Sequence, residues 1–205
     1  EGVKIVFTSA GNPKTWTSML KQHGIKVVHV VSSRKFALKC QEAGCDAVVA
    51  EGFEAGGHNG REETTTLCLV PAVADAVTIP VIAAGGIGDG RAMLACMVLG
   101  AEGVQIGTRF IASIESSAHD AFKQTVIHAD EGSTILTLKE ITPVRMVRNA
   151  FYDMLSAAYA RCASADELRT ILGRGRAKKG MFEGDMEAGE LEIGQVSATV
   201  REILP

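Results

Sequence analysis

Pro80-Val81-Ile82-Ala83-Ala84-Gly85-Gly86-Ile87-Gly88-Asp89-Gly90 and, one helix further on, Gly103-Val104-Gln105-Ile106-Gly107-Thr108-Arg109-Phe110 decide how this chain folds. Each begins as a short apolar run and stops in glycine, which reads as a buried strand closed by a turn. The segment between them, 91–99, reads as a helix stopped by Gly100. Working back, 46–50 is another such strand, and it runs into Glu51-Gly52-Phe53-Glu54-Ala55-Gly56-Gly57-His58-Asn59-Gly60. The helix after it spans 65–77, with Leu67, Val70, Val73, Ala74 and Val77 inward. Strands at 3–9 and 27–31 come first, the earlier one reading as buried. Trp16, Met19 and Leu20 share one face of the helix between them. Ser32 or Ser33 caps the next helix, whose apolar face is Phe36, Ala37, Cys40 and Ala43.

A strand followed each time by a helix requires a parallel sheet with helices outside it. An open sheet and a closed barrel both satisfy that alternation. The glycines and polar residues gather at the C-terminal strand ends, and the last two strands both end in glycine turns, where barrels commonly hold a phosphate. The expected fold is therefore α/β, of TIM (β/α)8 barrel type. Five strands are visible where a closed barrel has eight, so about three βα units are expected to precede residue 1.

Beyond Ser116 the texture becomes helical, at 118–129, 144–160 and 165–172, with 134–138 a short strand or extended segment. A glycine- and acid-rich loop, 180–194, leads to a closing helix over 196–203. The chain thus divides into residues 1–115, the barrel part, and 116–205, a mainly helical segment.

Its 205 residues are 46% hydrophobic and 22% charged, with a net charge of −3, the profile of a soluble globular protein. That balance gives no electrostatic case for nucleic acid or an anionic membrane. No apolar run approaches the length of a membrane helix, and no secretory signal is present, so a cytoplasmic setting is expected. The five cysteines lack metal or disulfide spacing, and Cys68 reads as helix core. Arg174, Arg176, Lys178 and Lys179 form a basic cluster that reads as solvated surface.

The loop at 51–60 combines four glycines with one histidine. Glycine lets backbone approach a ligand closely, and histidine suits proton transfer near neutrality. The arrangement reads as a floor for a flat ligand beside an acid/base group, His58. Gly85, Gly86, Gly107 and Thr108 read as a phosphate cradle of backbone N–H groups and a hydroxyl. Glu51 and Glu54 flank the floor. His23, His29, His119 and His128 read as helix surface or satisfied core, and no metal site is indicated.

Glu54-Ala55-Gly56-Gly57-His58-x-Gly60, Thr65-Thr66-Leu67, Pro80 to Ile87 and Gly103 to Phe110 resemble the nitronate monooxygenase (2-nitropropane dioxygenase) family. That family includes the flavin-dependent enoyl-ACP reductase II. Thr8-Ser9-Ala10-Gly11-Asn12-Pro13 and Gly184-Asp185-Met186-Glu187, with Gly194-Gln195, fit the same pattern. The resemblance implies an FMN-binding TIM barrel with an added helical segment. Gly85, Gly86, Gly107 and Thr108 would then hold the FMN phosphate. Ala55, Gly56 and Gly57 would lie near the flavin ring, with His58 as catalytic base or orienting residue. The implied reaction is oxidation of nitronates or nitroalkanes with oxygen. The alternative is enoyl thioester reduction with NAD(P)H as reductant, and a non-catalytic fragment is a further reading. The partners implied are small-molecule substrates, with a homo-oligomer left open.

Overall fold

A computed structural model describes residues 2–205. In chain order it contains β1 (Ile5–Thr8), α1 (Thr17–Gln22), β2 (Lys26–Val31), α2 (Arg34–Glu42), β3 (Ala47–Glu51) and β4 (Gly57–His58). There follow α3 (Thr66–Ala74), β5 (Val81–Ala84), α4 (Gly90–Val98), β6 (Gly103–Gln105), α5 (Thr108–Ile111) and α6 (Asp120–Ile127). Last come β7 (Thr134–Thr137), β8 (Val144–Val147), α7 (Ala150–Ala160), α8 (Ala165–Leu172) and α9 (Arg176–Met181). Two compact units emerge, Glu1–Phe53 with Glu62–Gln105, and Glu54–Arg61 with Ile106–Pro205. The short excursion at 54–61, read from sequence with the barrel part, groups with the later residues.

The first unit is the expected parallel sheet, ordered β1-β2-β3-β5-β6. Val49 lies opposite Ile82, and Ala84 opposite both Glu51 and Gln105, so β3, β5 and β6 end at matching heights. Val28, Ala47, Val49 and Ala84 pack together within it. Ser33 caps α2 by accepting the Phe36 N–H, as Asp89 caps α4 by accepting those of Arg91 and Ala92.

The outermost strand departs from expectation. Val3, Ile5 and Phe7 are exposed rather than buried, because β1 pairs with β2 alone among the described residues. Trp16, Met19, Phe36 and Leu67 are also exposed, and so is Cys68, against its reading as core. Val70 and Val73 are buried in α3 as expected, with Leu69 rather than Leu67 beside them.

The second unit holds an antiparallel sheet, ordered β4-β8-β7: β7 falls where a short strand or extended segment was expected, and β8 falls within an expected helix. Residues 144–160 are not one helix: Val144–Val147 is a strand, and Asn149 starts α7 by accepting the Tyr152 N–H. Leu138, Met146, Phe151, Leu155, Ala158 and Leu168 form one core, and Ala112, Phe122, Val126, Leu191, Ile193 and Val200 join another. The expected closing helix is only a 3-10 turn, Gln195–Thr199, ended by Val200 in extended conformation. Burying Val200 favours that exit over another helical turn.

Candidate functional site

His58 is positioned by pairing rather than by a free loop. Gly57 lies opposite Arg145 and His58 opposite Val144, while Asn59 N–H donates to Pro143 O at 2.9 Å. The Asn59 side-chain amide ties the approach to this strand, donating to Ala55 O at 2.9 Å and Gly57 O at 3.0 Å. The imidazole itself is exposed.

A second segment, Glu190 to Gln195, runs beside this strand pair. Val147 N–H donates to Leu191 O and Gln195 N–H to Glu54 O, both at 2.9 Å. The glycines permit the approach. A Cβ on Gly56 would stand 2.6 Å from Gly194 N, and one on Gly194 would stand 2.7 Å from Glu54 O. Gly57 has φ +77° and leaves room for Glu192, whose Oε2 would lie 2.8 Å from an added Cβ. Gly194 N–H also donates to Thr108 Oγ1 at 2.9 Å, so this one residue brings Thr108 and the 54–58 loop together.

The electrostatics behind His58 were not anticipated. Glu190 is 6% exposed, and its Oε1 accepts no hydrogen bond. Burial, reinforced by the charge of Glu192, pushes the Glu190 carboxyl up to about 7, while His58 and Arg176 pull it back. Burial also raises Glu192. Glu54, read as a flanking carboxylate, contributes its backbone carbonyl by accepting the Gln195 N–H. A signal for the pair does exist in the sequence. Glu190-Leu191-Glu192-Ile193 alternates polar and apolar residues with the period of an extended segment, setting both carboxylates on one face.

The basic cluster is partly structural rather than merely solvated. Arg176 donates to Ile171 O, Leu172 O and Ala188 O and lies 4.3 Å from the Phe151 ring centroid. Lys178 and Lys179 pair with Glu183 and Asp185. His119, by contrast, has the quiet role expected of it, capping α6 by accepting the Ala121 N–H.

The strand ends of the first unit supply the other candidate residues. Gly85 and Gly86 take φ +92° and +72°, conformations that favour glycine. A Cβ on Gly85 would meet Gly52 O at 2.6 Å, and Thr66 Oγ1 donates to Gly85 O at 2.9 Å. Glu51, at the end of β3, is pushed up to about 7 by burial. At the ends of β1 and β2, Thr8, Gly11, Asn12, Trp16 and His29 line a cavity of about 280 Å³. His29 is buried there with Nδ1 2.6 Å from Thr8 Oγ1, and burial lowers its pKa. Among the described residues no cluster of His, Cys, Asp and Glu is arranged to hold a metal, and no helix is long and apolar enough to cross a membrane.

A family model described as nitronate monooxygenase matches residues 1–205. A probable nitronate monooxygenase of Staphylococcus saprophyticus is 42% identical over 163 residues, covering 74% of this chain and 46% of that relative. One from Staphylococcus aureus strain JH9 is 45% identical over 126 residues, or 58% of this chain and 36% of the relative. Among solved structures, FabK from Thermotoga maritima has a TM-score of 0.89 at 41% identity, covering 98% of this chain and 64% of its own. A nitroalkane oxidase from Streptomyces ansochromogenes has a TM-score of 0.79 at 29% identity, covering 100% and 61%. The chain thus spans less than half of these curated relatives. The likeness makes the helix-clad parallel sheet of the first unit part of a TIM-type barrel.

Proposed function

The chain belongs to the nitronate monooxygenase family, a family of oxidoreductases, and from that premise we propose that it oxidises nitronates and nitroalkanes with oxygen and FMN. The observation that carries the chemistry is His58, an exposed imidazole held on a paired strand with a buried carboxylate in electrostatic reach.

The residues present fit a flavin phosphate. Gly107 has open space where a Cβ would stand, and Thr108 Oγ1, accepting from Gly194, keeps its own proton to donate. Gly107 and Thr108 would hold the phosphate by hydrogen bonding. Ala55, Gly56 and Gly57 would lie near the ring. Bound flavin supplies the electron acceptor. The protein's own task is the proton: neutral His58 takes it from the carbon bearing the nitro group, and the negative charge spreads onto the nitro oxygens. With a preformed nitronate, His58 orients the anion instead.

The test uses the intact protein. Visible flavin absorbance on the purified protein, and oxygen uptake with a nitronate, are the expected results. His58→Ala should retain flavin and lose turnover of neutral nitroalkane by about 100-fold, the scale of general-base catalysis. Protein that stays colourless after FMN addition, or equal activity in the variant, would overturn the reading.

A second reading stays in play because the likeness to FabK is higher than that to the nitroalkane oxidase. Under it the protein is an enoyl-ACP reductase with His58 acting at the carbonyl end. NAD(P)H oxidation driven by an enoyl thioester, without oxygen uptake on nitronate, would favour it.

A further inference from the structure

We propose that Glu190 is the positioning residue for His58: its buried carboxylate pairs with the imidazolium formed when His58 accepts a substrate proton, and Glu192 governs how readily Glu190 carries that charge. The inference rests on His58 being the acid/base group. It adds a carboxylate that neither the glycine-histidine motif nor the flavin cradle contains.

Three observations carry it. Glu190 is 6% exposed, and its Oε1 accepts no hydrogen bond, an expensive state for a carboxylate with no task. Second, the backbone places it. Glu190 N–H donates to Arg176 O at 3.1 Å, Leu191 O accepts from Val147 N–H, and Gln195 N–H reaches Glu54 O, so this segment is laced to the strand that holds His58. Third, the spacing repeats on the same face: Glu192 Oε2 sits against Gly57, the residue before His58, where any side chain would displace it.

The charges around Glu190 come from every neighbouring element. His58 on β4 and Arg176 on α9 favour its ionised form, and Glu192 opposes it. Arg145 on β8, opposite Gly57, donates to Thr134 Oγ1 at 3.3 Å. Arg176 is already committed to three carbonyl oxygens, whereas the imidazolium is a cation that forms and vanishes during turnover. In the step itself the C–H bond of the nitroalkane breaks and its electron pair stays on carbon. The proton forms an N–H bond on His58. Glu190 remains ionised and no further proton moves. Near-neutral titration of a buried carboxylate beside an acid/base group is the pattern expected of a functional site.

The experiment follows the Glu190 side-chain carboxyl by ¹³C NMR in the intact protein, assigned by the resonance that Glu190→Gln removes. Its titration should centre near pH 7, move up in His58→Gln and move down in Glu192→Gln. In parallel, kcat/KM is measured with a neutral nitroalkane and with its preformed nitronate. Glu190→Gln should lower the first at least about five-fold more than the second, because only the first requires imidazolium formation. A Glu190 titration unmoved by His58→Gln overturns the pairing, and equal losses on both substrates overturn its role in proton transfer. A wild-type protein active on neither substrate overturns the functional reading instead, and the titration shift then decides the pairing alone.

Discussion

In the first unit the chain meets itself by one repeated device, a strand laid parallel beside an earlier strand with a helix between them. In the second, residues 57–58 are matched antiparallel to residues 144–145, and residues 190–195 lie alongside, with no repeat to guide them. The glycines show what this difference costs. Several in the first unit mark the start or end of an element and point into open space, as at Gly44 after α2, Gly90 at the start of α4 and Gly103 at the start of β6. In the second, Gly56 and Gly194 are where two stretches of backbone come too close for any side chain. Glycine serves as punctuation where elements start and stop in open space, and as clearance where backbones meet, at Gly56 and Gly194 and, in the first unit, at Gly85.

Gly56→Ala tests that distinction most severely. Its methyl would press on Ile193 and Gly194 backbone that has no flexible end to yield, so the variant should lose about 3 kcal/mol in urea unfolding. Gly103→Ala, with open space, should stay within about 1 kcal/mol of the parent. Equal losses would break the comparison.

A middle-sized effect separates the two buried acids. Glu51 in the first unit is raised from 4.5 to about 7 by burial alone, whereas Glu190 is also coupled to Glu192, His58 and Arg176. A carboxyl with a raised folded pKa binds its proton longer in the folded state. Its contribution is therefore fully present below pH 4.5 and lost as pH rises through about 7. Glu51→Gln should remove that loss, gaining about 3 kcal/mol at pH 8 over wild type and little at pH 4. Thermal melts across that range check the sign, and a gain of the same size at pH 4 would refute the cause.

The smallest contrast concerns two helix starts. Gly90 opens α4 with open space around it and a negative φ, so Gly90→Ala should stabilise by about 0.5 kcal/mol. Gly175 precedes α9 at φ +77°, so the same change there should cost about 1 kcal/mol. Opposite signs in denaturant midpoints are the expected result.

This contrast also explains what sequence could disclose. All five strands of the parallel sheet are legible because each is a short, mostly apolar run next to turn residues, and each rule involved is local. The Gly56-Gly57-His58 motif is legible for the same reason. Val144–Val147 is not, since a mixed run before a helix acquires its identity only from partners at 57–58 and 134–137. Glu190 and Glu192 lie in a stretch whose glycines and acids advertise a loop; the alternation over 190–193 sets them on one face, but their burial comes only from the fold. Trp16, Met19 and Ile5 misled in the other direction, as apolar residues that lie exposed.

The strand bearing His58 has a consequence for synthesis. As the chain leaves the ribosome, residues 5–51 can pair in the order in which they emerge, each strand finding a neighbour already made. His58 emerges next and must wait. Its strand partner arrives with Val144, and its supporting carboxylate only with Glu190. The residue on which the chemistry is proposed to turn is translated well before the partners that secure it, so chains that have not yet reached Val144 and Glu190 carry the histidine without its acid/base setting.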